Sequence, residues 1–225
     1  MSRYEPSISE SIRVPITIIS FCWLIMLLEK ATNSDFSYWG IFPLTLRGFV
    51  GILFAPFIHG SFSHLLSNSP SFLILGTSVI LFYPKIAHKI YLYIYFFTGL
   101  GVWIFAREAY HIGASGIIYG FAGFLFFSGL FRKDAKSLAI SLSVAILFNS
   151  MIYGVFPQKQ GISWESHLIG AIVGGVCAYY MRMRNATSEK EQKILFDYPY
   201  EGYRNIENNT FKYVFKPKQK NIQTD

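Results

Sequence analysis

Apolar and polar positions alternate along this chain in blocks rather than within elements. Six mainly apolar stretches stand out: Val14–Leu28, Leu65–Tyr83, Ile90–Ala106, Ser115–Phe131, Leu138–Phe156 and Trp164–Tyr180. A helix that crosses the hydrocarbon core needs roughly 17–25 such residues. The shorter stretches imply tilt, local thinning or helices that begin below the surface. Helices are the expected form, because unpaired backbone groups in lipid cost several kcal/mol each. The pattern therefore predicts an all-α, polytopic membrane protein with six transmembrane helices. The first stretch has no small-residue cleavage site behind it and reads as a retained span. Residues 1–13 form a short leading segment, 14–182 one membrane domain, and 183–225 a polar tail broken by Pro199 and Pro217.

Charge gives the direction. Arg3, Arg13, Lys85, Lys89, Arg132, Lys133, Lys136, Arg182 and Arg184 fall on one side of this arrangement; the other carries only Lys30, Arg47, Arg107 and Lys159. The positive-inside rule then puts both termini in the cytoplasm, and the even-numbered spans run from outside to inside. The connection from Glu29 to His64 is long and carries Tyr38, Trp39, Phe42, Phe54 and Phe57, as expected of a segment lying partly in the outer leaflet.

Composition agrees: 52% of the 225 residues are hydrophobic and 15% charged, which suits a membrane bundle better than a soluble domain. The net charge of +7 does not argue for nucleic acid, since the basic residues follow the loops instead of forming a stripe. Cys22 and Cys177 both fall in apolar stretches, with neither disulfide nor metal-type spacing.

Polar residues inside spans are costly, so each is a functional hypothesis. His64 and Asn68 open the second span, Ser115 opens the fourth, and His167 lies in the first turn of the sixth. All three spans enter from the outside, so these groups share a layer about 5–10 Å below that face. His64 and Asn68 are four apart and share a helical face, as do Ser115 and Tyr119. Gly116 with Gly120, and Gly170 with Gly174, give two small-residue faces that let helices approach closely. If those faces meet, His167 reaches Ser115 at the distance general-base activation requires. Ser115 at a helix start also has free backbone N–H groups and the positive dipole end beside it. With the Asn68 and His64 side chains these can stabilise an oxyanion.

No aspartate lies in a span, so a two-aspartate mechanism is excluded and His167 has no triad acid. Glu165, two residues before His167, faces elsewhere on the helix. The residues point to a Ser–His dyad with the imidazole packed on Tyr119. No His-Glu-x-x-His motif occurs, and no metal or other cofactor is expected. His88 and His111 read as interfacial loop residues.

In their order and spacing, His64-x-x-x-Asn68, Gly113-x-Ser115-Gly116 and His167-x-x-Gly170-x-x-x-Gly174 resemble the rhomboid intramembrane serine proteases, over about residues 40–182. The resemblance implies a six-helix fold with Ser115 as nucleophile and His167 as base. It implies an oxyanion hole from Asn68, His64 and the Ser115 amide. Tyr119 corresponds to a stacking tyrosine, and His59 to an upstream histidine near the cavity. It also suggests a lateral gate near Leu147–Tyr153. Where many members carry Trp-Arg in the first loop, this chain has Leu46-Arg47. The expected activity is cleavage of transmembrane protein substrates near their outer end, from within the lipid bilayer of a bacterial cell (inner) membrane. Two other classes stay open: a non-catalytic rhomboid-like scaffold that binds membrane segments, and a small-solute transporter, against which no internal repeat is visible.

Overall fold

A computed structural model describes residues 6–157, 161–182, 200–205 and 210–215. Arg3, Lys159, Arg184 and both tail prolines lie outside the described residues. The chain divides between Met181 and Arg182 into two units.

The first unit carries α1 (Ile8–Ser11), α2 (Arg13–Ala31), α3 (Leu46–Gly51), α4 (Phe62–Phe82), α5 (Ala87–Phe105), α6 (Ser115–Arg132), α7 (Ala135–Leu147) and α8 (Trp164–Met181). Short 3₁₀ segments cover Ser37–Trp39, Ala55–Phe57 and Asn149–Val155. Local chemistry fixes several starts. Thr45, Ser61 and Asp134 cap α3, α4 and α7 by accepting from Gly48, His64 and Ser137 N–H groups. α6 begins otherwise: its N-cap is Ala114, which offers no acceptor.

α6 is the hub. Phe121 and Phe124 are fully buried in it, and Phe121 packs edge-on against Phe72 of α4 and tilted against Tyr91 of α5. The small-residue faces of α6 and α8 do meet. A Cβ on Gly170 would strike the Gly116 carbonyl, and one on Gly174 the Gly120 carbonyl, so the two backbones touch.

By length and composition, three helical stretches are apolar enough to cross a membrane: Ile8–Ala31, Phe62–Phe82 and Ser115–Arg132. A bent pair, Ala135–Leu147 with Asn149–Val155, makes a fourth. The six stretches expected to span the membrane are each helical, but α5 and α8 are not apolar enough to count among these candidates. Tyr91, Tyr93, Tyr95, His88 and Lys89 account for α5, and Glu165, His167, Tyr179 and Tyr180 for α8. The stretch over Leu138–Phe156, expected as one span, is a bent pair with an angle of 71° between its two parts. Phe148 leaves the helical region, and the Asn149 side-chain amide donates to the Ile146 carbonyl at 3.1 Å.

The aromatic loop between α2 and α4 is tied to its surroundings. Ile41 and His111 exchange backbone hydrogen bonds of 3.0 and 2.9 Å, and Trp103 donates its indole N–H to the Thr45 carbonyl at 2.8 Å. Arg47 lies over the Tyr38 ring, donates to the Tyr38 carbonyl, and reaches the Tyr110 hydroxyl at 2.6 Å. Leu46, which stands where tryptophan was expected from the resemblance, is 84% exposed and holds nothing in place.

In the second unit, β1 (Tyr200–Asn205) and β2 (Thr210–Phe215) pair antiparallel, Tyr200 opposite Phe215 and Asn205 opposite Thr210. The all-α expectation therefore needs this one addition in the tail.

Candidate active site

Two features of the chain bring Ser115 forward. Gly113 has φ +103°, a backbone conformation that side chains disfavour, and it turns the loop into α6. The uncapped helix start then leaves its first N–H groups without an intrahelical acceptor beside Ser115. On α8, the glycine face sets the approach to α6, and His167 sits one turn above it.

The result is a hydrogen bond of 2.9 Å between His167 Nε2 and Ser115 Oγ. The other ring nitrogen, Nδ1, is 2.9 Å from the Gly154 carbonyl. A carbonyl can only accept, so Nδ1 carries the proton and Nε2 presents its lone pair to the Ser115 hydroxyl. The imidazole lies flat on Tyr119, with ring centroids 4.2 Å apart and planes 7° from parallel. Tyr119 is fixed in turn, its hydroxyl donating to the Met151 carbonyl at 2.8 Å. Both carbonyls come from the bent 3₁₀ segment after α7. A side chain at Gly154 would collide with the Tyr119 hydroxyl and come within 3.2 Å of His167 Nδ1.

The position an acid would fill is thus held by a backbone carbonyl. It orients the ring and fixes its tautomer but adds no full negative charge. Glu165 is turned away and pairs with Arg107 at 3.1 Å.

His64 and Asn68 flank Gly113 on the opposite side. A Cβ there would lie 2.8 Å from His64 Cε1 and 3.8 Å from Asn68 Nδ2. Asn68 is buried, and its Nδ2 has no hydrogen-bond partner among the described residues. An idle buried donor is costly, and it is aimed at the loop that delivers Ser115. His59 packs edge-on against His64 at 5.0 Å and accepts from the Ala114 N–H at 3.4 Å. Burial, with the neighbouring His64 adding to it, pushes the His59 pKa down to about 4, so the ring is neutral and free to accept.

Three groups that matter here have no signal in sequence: the Gly154 carbonyl, the Met151 carbonyl and the His111 side chain. His111 was expected at the interface and is corrected. It is 2% exposed, hydrogen-bonded to Ser163 and to the Arg107 carbonyl. His88 is exposed at the start of α5. Among the described residues no group of three or more His, Cys, Asp or Glu is placed to hold a metal ion.

The Rhomboid domain profile matches residues 46–184 of the chain. An uncharacterized protein of Mycobacterium tuberculosis is 32% identical over 177 residues, covering 74% of this chain and 73% of its own length. A Mycobacterium bovis protein matches to the same extent. One from Mycobacterium leprae is 30% identical over 175 residues, 74% of this chain and 69% of its own. The chain belongs to the rhomboid family and is an integral membrane protein.

Proposed function

We propose that this rhomboid-family membrane protein is a serine endopeptidase that cleaves transmembrane segments near the extracytoplasmic surface. The carrying observation is the chain of contacts from Gly154 O through His167 to Ser115 Oγ, at 2.9 Å on each side of the ring. In the proposed reaction His167 Nε2 takes the Ser115 proton as Oγ attacks a substrate carbonyl. The oxyanion that forms meets the Ser115 amide, Asn68 Nδ2 and the His64 imidazole. Collapse expels the amine, which takes its proton back from His167. Water, deprotonated by the same imidazole, then releases the acyl group and regenerates Ser115. Gly113 keeps the approach to this pocket clear of side chain, and Tyr119 and His59 support it. Neither metal nor cofactor enters the reaction.

The reading includes six membrane spans within residues 14–182, the shorter or more polar ones being α5 and α8, whose tyrosines and catalytic residues lower their apolarity. It also includes cytoplasmic termini, a cytoplasmic segment before residue 14 and another after residue 182, and residence in a bacterial cell (inner) membrane, supported by the basic flanks of the even-to-odd connections. The substrates are transmembrane proteins whose helices unwind easily, since an intact helix keeps its peptide bonds hidden.

A fluorophosphonate probe tests this. It should label the wild-type protein and leave Ser115→Ala and His167→Ala unmodified. Wild-type protein that neither takes the probe nor cuts any member of a panel of single-span substrates would instead be a membrane-segment scaffold.

A further inference from the structure

We propose that His111, Ser163 and Ser166 form a hydrogen-bonded cross-link that sets the position of His167 relative to Ser115; the inference rests on the hydrolase reading above. These residues join the loop that ends in Ser115 to the start of the helix that bears His167.

The hydrogen-bond directions follow from one fixed acceptor. His111 Nε2 lies 3.0 Å from the Arg107 carbonyl, so Nε2 carries the proton and Nδ1 is a bare lone pair. Nδ1 is 2.6 Å from Ser163 Oγ, which must donate to it. Ser163, its hydrogen committed, accepts from Ser166 Oγ at 2.6 Å. The order runs Ser166 to Ser163 to His111 to the Arg107 carbonyl, with every donor used once.

The same two segments are tied twice more. Arg107 donates to the Ile162 carbonyl at 2.8 Å and pairs with Glu165 at 3.1 Å. Residues 162, 163 and 165, around the first turn of α8, are therefore held directly by the α5–α6 loop, and Ser166 is tied to it through Ser163. His167 follows Ser166 directly, and its N–H donates to the Ser163 carbonyl at 3.4 Å. Gly113 comes two residues after His111. The His111 backbone pairs with Ile41, which anchors the loop from a third side.

A helix start needs one side-chain acceptor to be capped. Here the His111 imidazole and the Glu165 carboxylate are buried and the two hydroxyls half-buried, so the imidazole and carboxylate above all would cost stability if left unpartnered. Such an ordered network makes the gap between loop and helix a single distance. That gap carries the Ser115–His167 bond, where a misplacement of about 1 Å is enough to slow a reaction by about 10²-fold. His111, Ser163 and Ser166 touch neither the nucleophile nor the base side chain and are positioning residues.

The test uses the full chain in phospholipid vesicles. Cleavage of a single-span substrate gives kcat and KM, fluorophosphonate labelling gives the reactivity of Ser115 against pH, and thermal unfolding controls for folding. Ser163→Ala and Ser166→Ala should each lower kcat about tenfold while KM stays within about twofold, and should move the acid limb of the labelling profile. Ser163→Thr, which keeps the hydroxyl, should restore both. Unchanged kcat and pH profile in the two alanine variants would overturn the role. So would losses that follow the unfolding temperature alone, with Ser163→Thr no better than Ser163→Ala. The two failures are separable: a wild type that takes no probe overturns the hydrolase reading, whereas a labelled wild type with indifferent variants overturns only the cross-link.

Discussion

Ser115–His167 and Ser163–His111 are built on the same plan. In each, one imidazole nitrogen donates to a backbone carbonyl, Gly154 or Arg107, and the other accepts from a serine hydroxyl. The Ser163 pair even has the shorter bond, 2.6 Å against 2.9 Å. What differs is the space around the oxygen. Ser163 Oγ donates to His111 and accepts from Ser166, and no unpartnered donor is seen beside it among the described residues. Ser115 opens a helix with no side-chain cap, beside a glycine with no side chain and an asparagine with an unused N–H. A serine–histidine distance alone does not mark a nucleophile. Idle donors arranged beside the oxygen do, because they are what a developing negative charge would meet.

The sharpest way to break this contrast is to remove each hydroxyl in turn. Ser115→Ala should abolish probe labelling and reduce substrate cleavage by at least about 10⁴-fold. Against that, the Ser163→Ala loss is small, and cleavage assays showing equal losses would mean the two pairs do not differ in kind. Next in size is the idle donor. Asn68→Ala should cost about 10²–10³ in kcat with little change in KM, as for loss of one oxyanion donor. If steady-state kinetics give an unchanged kcat, the unpartnered amide is not aimed at the reaction. Smaller again is Gly154→Ala, whose methyl group displaces the Tyr119 hydroxyl and crowds His167 Nδ1. The ring should tilt away from Ser115 and labelling should slow by about 10–10²-fold; labelling at the wild-type rate would show that the imidazole does not depend on that carbonyl.

These same residues explain what the sequence could and could not reveal. Ser115, His167, His64 and Asn68 were legible because helical periodicity puts residues four apart on one face and because polar groups at the start of an apolar run are conspicuous. The α6–α8 contact was legible from the spacing of Gly116, Gly120, Gly170 and Gly174. The orienting groups of His167 were not, since a carbonyl at Gly154 or Met151 leaves no trace in the letters, and the bend that aims them falls in a mainly apolar run that read as one span. His111 was misjudged for a related reason: a loop histidine is usually wet. Its burial depends on Ile41, Arg107 and Ser163, three partners from three separate elements. Arg107 and Glu165 look like ordinary charges until the loop and the helix start are seen side by side.

The least of the expected effects concerns acid stability, and it separates the two pairs by the kind of response they give. Burial first, with Arg107 contributing, lowers the His111 pKa, although the hydrogen bond to the Arg107 carbonyl and the Glu165 charge oppose the shift. Burial, with His64 adding to it, lowers His59 to about 4 from the ordinary 6.5. In the unfolded chain both rings take up a proton as the pH falls through about 6.5, while the folded chain resists. Their stabilisation is therefore complete above about pH 6.5 and drains away as the pH falls, for His59 over the window from about 6.5 to about 4. Unfolding temperatures measured from about pH 7 down to about pH 4.5 should drop in the wild type and drop less steeply in His59→Gln and His111→Gln. Replacing His111 should flatten the slope while leaving most of the neutral-pH cleavage rate, because the amide can still bridge loop and helix. At Ser115–His167, by contrast, a proton on the imidazole removes the base and is read in the rate. Parallel slopes in the wild type and both variants would mean that the two rings are as free to charge folded as unfolded, and the buried, fully committed character assigned to the His111 imidazole would then be wrong.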